Sequence, residues 1–119
     1  SHLQAEKLSP FDLYRFHNLG ELAAAYAFVG DFDASADAAR ASLELSPGYW
    51  YSGLIRVGSL FRAGKEAEAA AQLAAFRLRH PGFRMRRAEL VPYVDPKLNR
   101  FLIGNFQAAE EKLALLAQS

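Results

Sequence analysis

Two stretches of the chain match each other at a fixed offset of 34 residues, and that match narrows the possible folds more than any other feature. Residues 30–49 align on residues 64–83: Gly30 falls on Gly64, Ala36 on Ala70, Ala41 on Ala75, Pro47 on Pro81 and Gly48 on Gly82, and Tyr49 is answered by Phe83. A glycine between two helical patterns, with a proline closing the second, describes a helix-turn-helix unit at this period. Such a unit buries its apolar face only against a neighbour. The repeat therefore predicts an all-α stack that works as a docking surface.

Composition agrees with helices. Just over half of the 119 residues are hydrophobic, alanine is frequent, and there are only four valines and two isoleucines. Alanine is the best helix former and lets neighbouring helices approach closely, whereas strands are built mostly from β-branched and aromatic side chains. The length predicts a single domain covering residues 1–119. With no cysteine in the chain, disulfides, thiol catalysis and the commonest structural zinc ligands are excluded. No apolar run reaches membrane-spanning length and no charged-then-apolar leader opens the chain, so neither a span nor a signal peptide is expected, and the cytoplasm is the expected compartment. Net charge is +1, with four cationic against seven acidic side chains in residues 1–59 and ten against six in residues 60–119.

Taken in order, Ser9, Pro10 and Asp12 read as a helix start, since serine caps, proline suits the first helical position and an acid complements the dipole. The first helix should start near Pro10, carry Leu19, Leu22, Ala23 and Tyr26 on its buried stripe, and stop at Gly30. Asp31 should cap a second helix reaching Leu45, with Ala36, Ala39 and Leu43 inward, and Ser46-Pro47-Gly48 should end it. The plan repeats from Tyr49 to Ala63 and from Lys65 to His80, with Val57, Leu60, Leu73 and Phe76 in place of Ala23, Tyr26, Ala39 and Ser42. Volume is redistributed across the packed layer, which a core tolerates when its total is kept. A third unit begins with a short helix from Arg84 to Val91 and breaks at Pro92. Asp95 and Pro96 then open a last helix to about Ala117, with Leu98, Phe101, Leu102, Phe106, Ala109, Leu113 and Leu116 on its apolar stripe. Gly104 within it suggests close packing or a kink. The unit boundaries are 10–47, 48–81, a truncated 82–94, and a capping helix at 95–119.

The residues Leu22, Ala23, Tyr26, Gly30, Ala36 and Pro47, with Val57, Leu60, Gly64, Ala69 and Pro81, make residues 16–83 similar to the tetratricopeptide repeat family. Ser35, Ser42 and Phe76 stand where that family favours small residues such as alanine, and Arg56-Val57 stands where a Leu-Gly pair is typical. The resemblance implies a right-handed solenoid of two units, a truncated third and a capping helix. From Pro81 onward the chain also resembles the C-terminal repeat domains of bacterial class III adenylate cyclases and winged-helix transcription regulators. That implies a regulatory or oligomerising segment of a larger bacterial protein, with the catalytic or DNA-binding domain outside this sequence. The tail from Glu110 to Ser119 is longer than in those relatives.

The family's first helices line a concave surface, which maps here onto His17, Gly20, Ala24, Ala27 and Phe28 and, in the second unit, onto Tyr51, Leu54, Gly58, Phe61 and Arg62. A helical wheel places the same residues between the core stripe and the second-helix contacts. Phe28, Tyr51, Leu54 and Phe61 would form an apolar strip with Arg62 at its edge, suited to a protein or peptide partner. The last helix or a second copy of the chain, as in a homodimer, would cover it equally well. Trp50, the only tryptophan, sits in an aromatic run at the unit junction and is a candidate partner contact. Arg77, Arg79, His80, Arg84, Arg86 and Arg87 crowd one bend and could hold an anion, a phosphate or nucleic acid, although a nearly neutral chain makes nucleic acid the weaker reading. A solvated helix end explains Arg77, Arg79 and His80 without any ligand. His2, His17 and His80 are too far apart for a metal site, and no catalytic motif occurs. Asp31, Asp33 and Asp37 sit where a helix N-terminus favours acids. The sequence points to no enzyme and no cofactor.

Overall fold

The computed structural model describes residues 10–83 and 95–117. They form five helices: α1 (Pro10–Phe28), α2 (Phe32–Leu45), α3 (Trp50–Arg62), α4 (Glu66–Arg79) and α5 (Pro96–Ala117). Among the described residues there is no strand. The short helix expected from Arg84 to Val91 lies outside them.

The 34-residue match is carried by the backbone itself. Gly30 and Gly64 adopt φ of +89° and +82°, the left-handed region in which glycine has no Cβ penalty. Each closes its helix with the same two hydrogen bonds. Gly30 N–H donates to Ala27 at 3.0 Å and Asp31 N–H to Tyr26 at 2.9 Å, and Gly64 and Lys65 repeat this to Phe61 and Leu60 at 3.1 and 2.9 Å. These bonds satisfy carbonyls that a helix end otherwise leaves open. The second helices also end alike, Ser46 N–H donating to Ser42 and Tyr49 N–H to Ser46, matched by His80 to Phe76 and Phe83 to His80. At the N-termini, the Asp31 carboxylate accepts from Ala34 N–H at 3.2 Å and the Asp95 carboxylate from Lys97 N–H at 2.7 Å.

Helix α3 is the centre of the packing: α2 and α4 pack on it, and α5 lies across it while also touching α1. Nine of its thirteen residues are buried, so it has almost no solvent face. Ala23, Ala24 and Ala27 of α1 share one buried cluster with Ala38 and Ala39 of α2, and these small side chains let the two helices close together. Helices α3 and α4 fill the corresponding space differently. A Cβ built on Gly53 would lie 3.0 Å from the Phe76 ring, and the counterparts 34 residues earlier are Leu19 and Ser42. The large residue has moved from the first helix of the unit to the second.

Polar groups fix the α2–α3 contact. Ser35 Oγ donates to the Ala23 carbonyl at 2.6 Å and lies 2.8 Å from Ser59 Oγ; Ser42 Oγ donates to the Phe16 carbonyl at 2.7 Å and lies 2.8 Å from Ser52 Oγ. A hydroxyl has one proton, so Ser59 and Ser52 are the donors to Ser35 and Ser42. All four serines are buried, and each pair joins α1, α2 and α3 at one level. Arg56 adds a third link, Nε donating to Gln72 Oε1 at 3.0 Å and Nη1 to the Ala36 carbonyl at 2.8 Å. Burial, with Arg40 nearby, holds its pKa below the ordinary arginine value.

Three expectations from the sequence need correction. Leu22 is 44% exposed and Leu116 46% exposed, so neither lies on a buried stripe: Ala23, Ala24 and Ala27 already fill the inward face of α1, and α5 outlasts the helices it packs against. A Cβ on Gly104 would meet nothing within 4 Å, whereas one on Gly58 would lie 2.8 Å from Asn105 Cβ. The close approach of α5 is made by the glycine on α3.

Candidate functional site

One face of α1 and α3 is occupied by α5. At one end Phe101 sits edge-on to Phe28 with ring centroids 5.8 Å apart and stacks on Phe32 at 6.4 Å. The Arg62 guanidinium lies 4.7 Å above the Phe32 ring and donates to Asn105 Oδ1 at 2.8 Å. A cation over an aromatic face that also holds a hydrogen bond fixes both angle and register. Further along, Gly58 receives the α5 backbone at Asn105 and Phe106, and Phe106 meets Phe76 with centroids 5.1 Å apart. Phe61 and Leu113 pack beside Ala36, Leu60 and Ala69. The Asn105 side chain is buried, and its Nδ2 has no acceptor among the described residues.

This arrangement changes the role of the expected partner strip. Tyr51 and Leu54 are 2% and 1% exposed and belong to the same cluster as Leu102, Ile103 and Phe106, so they are core residues closed off by α5. Phe61 is half-buried in the same packing. Arg62 is exposed at its edge but engaged with Asn105 and Phe32. Phe28 keeps 58% exposure on the rim, touching Phe101. Trp50 is half-buried, edge-on to Tyr51 at 5.7 Å and tilted against Phe83 at 5.6 Å, which makes it the joint between the start of α3 and the turn after α4. His17 stands apart from the strip, with Nε2 2.8 Å from Glu21 and Nδ1 3.3 Å from the Tyr49 hydroxyl.

The basic bend is only partly within the described residues, since Arg84, Arg86 and Arg87 lie outside them. Arg77 donates to Glu110 Oε2 of α5 at 3.1 Å. Both line a cleft of about 480 Å³ between α4 and α5, with Phe76, His80, Phe83 and Phe106 as its other walls. A carboxylate there opposes an anionic ligand. Arg79 lies elsewhere, beside Gln72, Tyr49 and His80 on a smaller cleft of about 200 Å³. Among the described residues no group of three or more potential metal ligands comes together, and no helix is long and apolar enough to cross a membrane.

Two features of the site were missed in the sequence. Asn105, which meets Gly58 and sets how closely α5 lies on α3, belongs to no apolar stripe, whereas Gly58 was placed on the concave face but not as a point of close approach. The serine pairs did carry a signal: Ser35 and Ser42, and Ser52 and Ser59, are each seven residues apart, a spacing that keeps a residue on one helix face. No family model matches the chain, and neither the curated proteins nor the solved structures give a match.

Proposed function

We propose that the chain is a protein–protein interaction module of two tetratricopeptide-like units, a truncated third and a capping helix, whose first-helix face is a receptor for an amphipathic helix. The observation that carries this reading is α5 itself, lodged on that face by Phe101 between Phe28 and Phe32 and by Arg62 on Asn105. A surface that takes a helix with aromatic anchors and one oriented cation has the composition of a helix-binding groove. The module acts in the cytoplasm as a regulatory or oligomerising part of a larger bacterial signalling or transcription protein, and catalyses nothing itself. The ion pair of Arg77 with Glu110 argues against the basic bend as an anion site.

The test uses a labelled peptide of residues 96–117 added to the full chain and to Phe101→Ala. In the wild type the tethered α5 competes at an effective concentration of roughly millimolar, so little peptide binds. In the variant the tethered helix is loosened and peptide binding should rise at least tenfold, with helical content retained. A folded variant that binds no peptide would remove the helix-receptor reading.

A further inference from the structure

Helix α4 turns an uncharged face to solvent. Ala67, Ala71, Ala74 and Leu78 are all exposed, at intervals of four, three and four, which is the spacing of one helix face. Leu78, at 85%, is the most exposed large hydrophobic side chain among the described residues. The face lies opposite Ala69, Leu73 and Phe76, the residues α4 buries. The internal repeat supplies a control. The 34-residue counterparts of Ala67, Ala71, Ala74 and Leu78 are Asp33, Asp37, Arg40 and Glu44 of α2. These are exposed too, and Arg40 pairs with both Asp37 and Glu44. On α4 every one of those charges is replaced by an apolar side chain, yet the exposure is unchanged. The charges of α4 stand at its ends instead, Glu66 and Glu68 in the first turn and Arg77 and Arg79 in the last. Glu68 and Arg79 form no ion pair among the described residues.

We propose that this face pairs with the same face of a second copy of the chain, the two α4 helices running antiparallel about a two-fold axis between Ala71 and Ala74. In that register Leu78 of each copy lies over Ala67 of the other, where the small side chain leaves room for it, and Ala71 faces Ala74 at the centre. On one flank Glu68 of each copy meets Arg79 of the other. On the other flank Glu66 meets Arg77, which Glu110 already engages from its own copy. Parallel pairing would set acid against acid and base against base, so the charges select the antiparallel arrangement. They also select the occupant, because a helix that fits must carry bases where α4 carries acids and acids where it carries bases, and α4 reversed is such a helix. An isologous contact of this kind closes at two subunits. The 14-residue α4 is about 21 Å long, so one helix pair covers less than the roughly 800 Å² per partner of a standard interface. The dimer is therefore weak and reversible. It uses a surface separate from the α5 seat and stands or falls independently of it.

Sedimentation equilibrium of the full chain over a concentration series tests the proposal. The wild type should climb toward twice the monomer mass as concentration rises. Leu78→Lys, a change at an exposed position, should stay monomeric with unchanged circular dichroism. Glu68→Arg and Arg79→Glu each set like charges against one another across the pair, and each should self-associate about tenfold more weakly than the wild type. An equimolar mixture of those two variants should recover the association, because it restores an acid opposite a base on that flank at both ends. A wild type that remains monomeric at the highest concentration overturns the proposal. A dimer that survives Leu78→Lys also overturns it and assigns self-association to another surface, and a mixture that associates no more tightly than the single variants overturns the antiparallel register.

Discussion

Replacing glycine by alanine at position 58 or at position 104 is the same chemical change in a helix, yet the structure gives the two opposite signs. In an exposed helix interior the exchange stabilises by about 0.5–1 kcal/mol, because glycine loses more backbone freedom on folding. Gly104 is exposed on α5 and a Cβ there meets nothing within 4 Å, so Gly104→Ala should realise that gain. At Gly58 the new Cβ would lie 2.8 Å from Asn105 Cβ and 3.2 Å from both Asn105 C and Phe106 N. Two of those atoms are backbone, so relief requires α5 to shift as a body. Overpacking of this kind costs about 1–3 kcal/mol, which the propensity term offsets only in part. Gly58→Ala should therefore destabilise by about 0–2 kcal/mol, leaving the two variants roughly 1–3 kcal/mol apart. Urea unfolding supplies the stabilities, and amide exchange along α5 locates the change: faster at α5 in Gly58→Ala, no faster in Gly104→Ala. If Gly58→Ala is as stable as Gly104→Ala and leaves α5 protected, the argument for a steric limit at the α3–α5 crossing is wrong.

The serine clamps should show strong coupling. Ser35→Ala removes the acceptor of the buried Ser59 hydroxyl and should cost about 1–3 kcal/mol, while adding Ser59→Ala should cost little more, giving a clearly non-additive double-mutant cycle in urea unfolding. At the surface, Lys65 Nζ lies 3.0 Å from Asp33, and that hydrogen bond holds the ammonium above its ordinary pKa. A pKa raised by folding stabilises at every pH below the unfolded value and loses that contribution as pH rises through the folded one. The melting temperatures of wild type and Lys65→Met should accordingly differ by a constant small amount around neutrality and converge in strong alkali; a gap that widens there would contradict the sign.

Helix ends were the most legible part of the fold because their causes are local. Gly30 and Gly64 announce left-handed turns, and Asp31 and Asp95 announce caps, through chemistry contained within a few residues. The location of α5 depends on contacts distant in sequence: Phe101 reaches Phe28 and Phe32, and Arg62 reaches Asn105, across the break in the repeat. An apolar stripe on the last helix predicted that it would pack, and left the first-helix strip open to it, to a second copy or to a separate partner. Of the occupants left open for the strip, the structure has the last helix on it. Leu22 misled for a related reason, since a hydrophobic period marks a face without showing whether that face is covered.

The departures from the repeat pattern become intelligible together once α3 is seen as the common neighbour of the other helices. Ser35, Ser42 and Arg56 stand where the tetratricopeptide family favours small or apolar residues, and each of them hydrogen-bonds to a neighbouring helix. Where α5 meets α3, Asn105 Oδ1 is paired but Nδ2 is buried without an acceptor among the described residues. An unsatisfied buried donor costs about 1–3 kcal/mol, so the polar contacts that strengthen the α2 seat are matched by one that weakens the α5 seat. Stability within a fold is unevenly distributed, and the least satisfied contacts open first. α5 is thus held less completely than the helices it covers and should be the first of them to open.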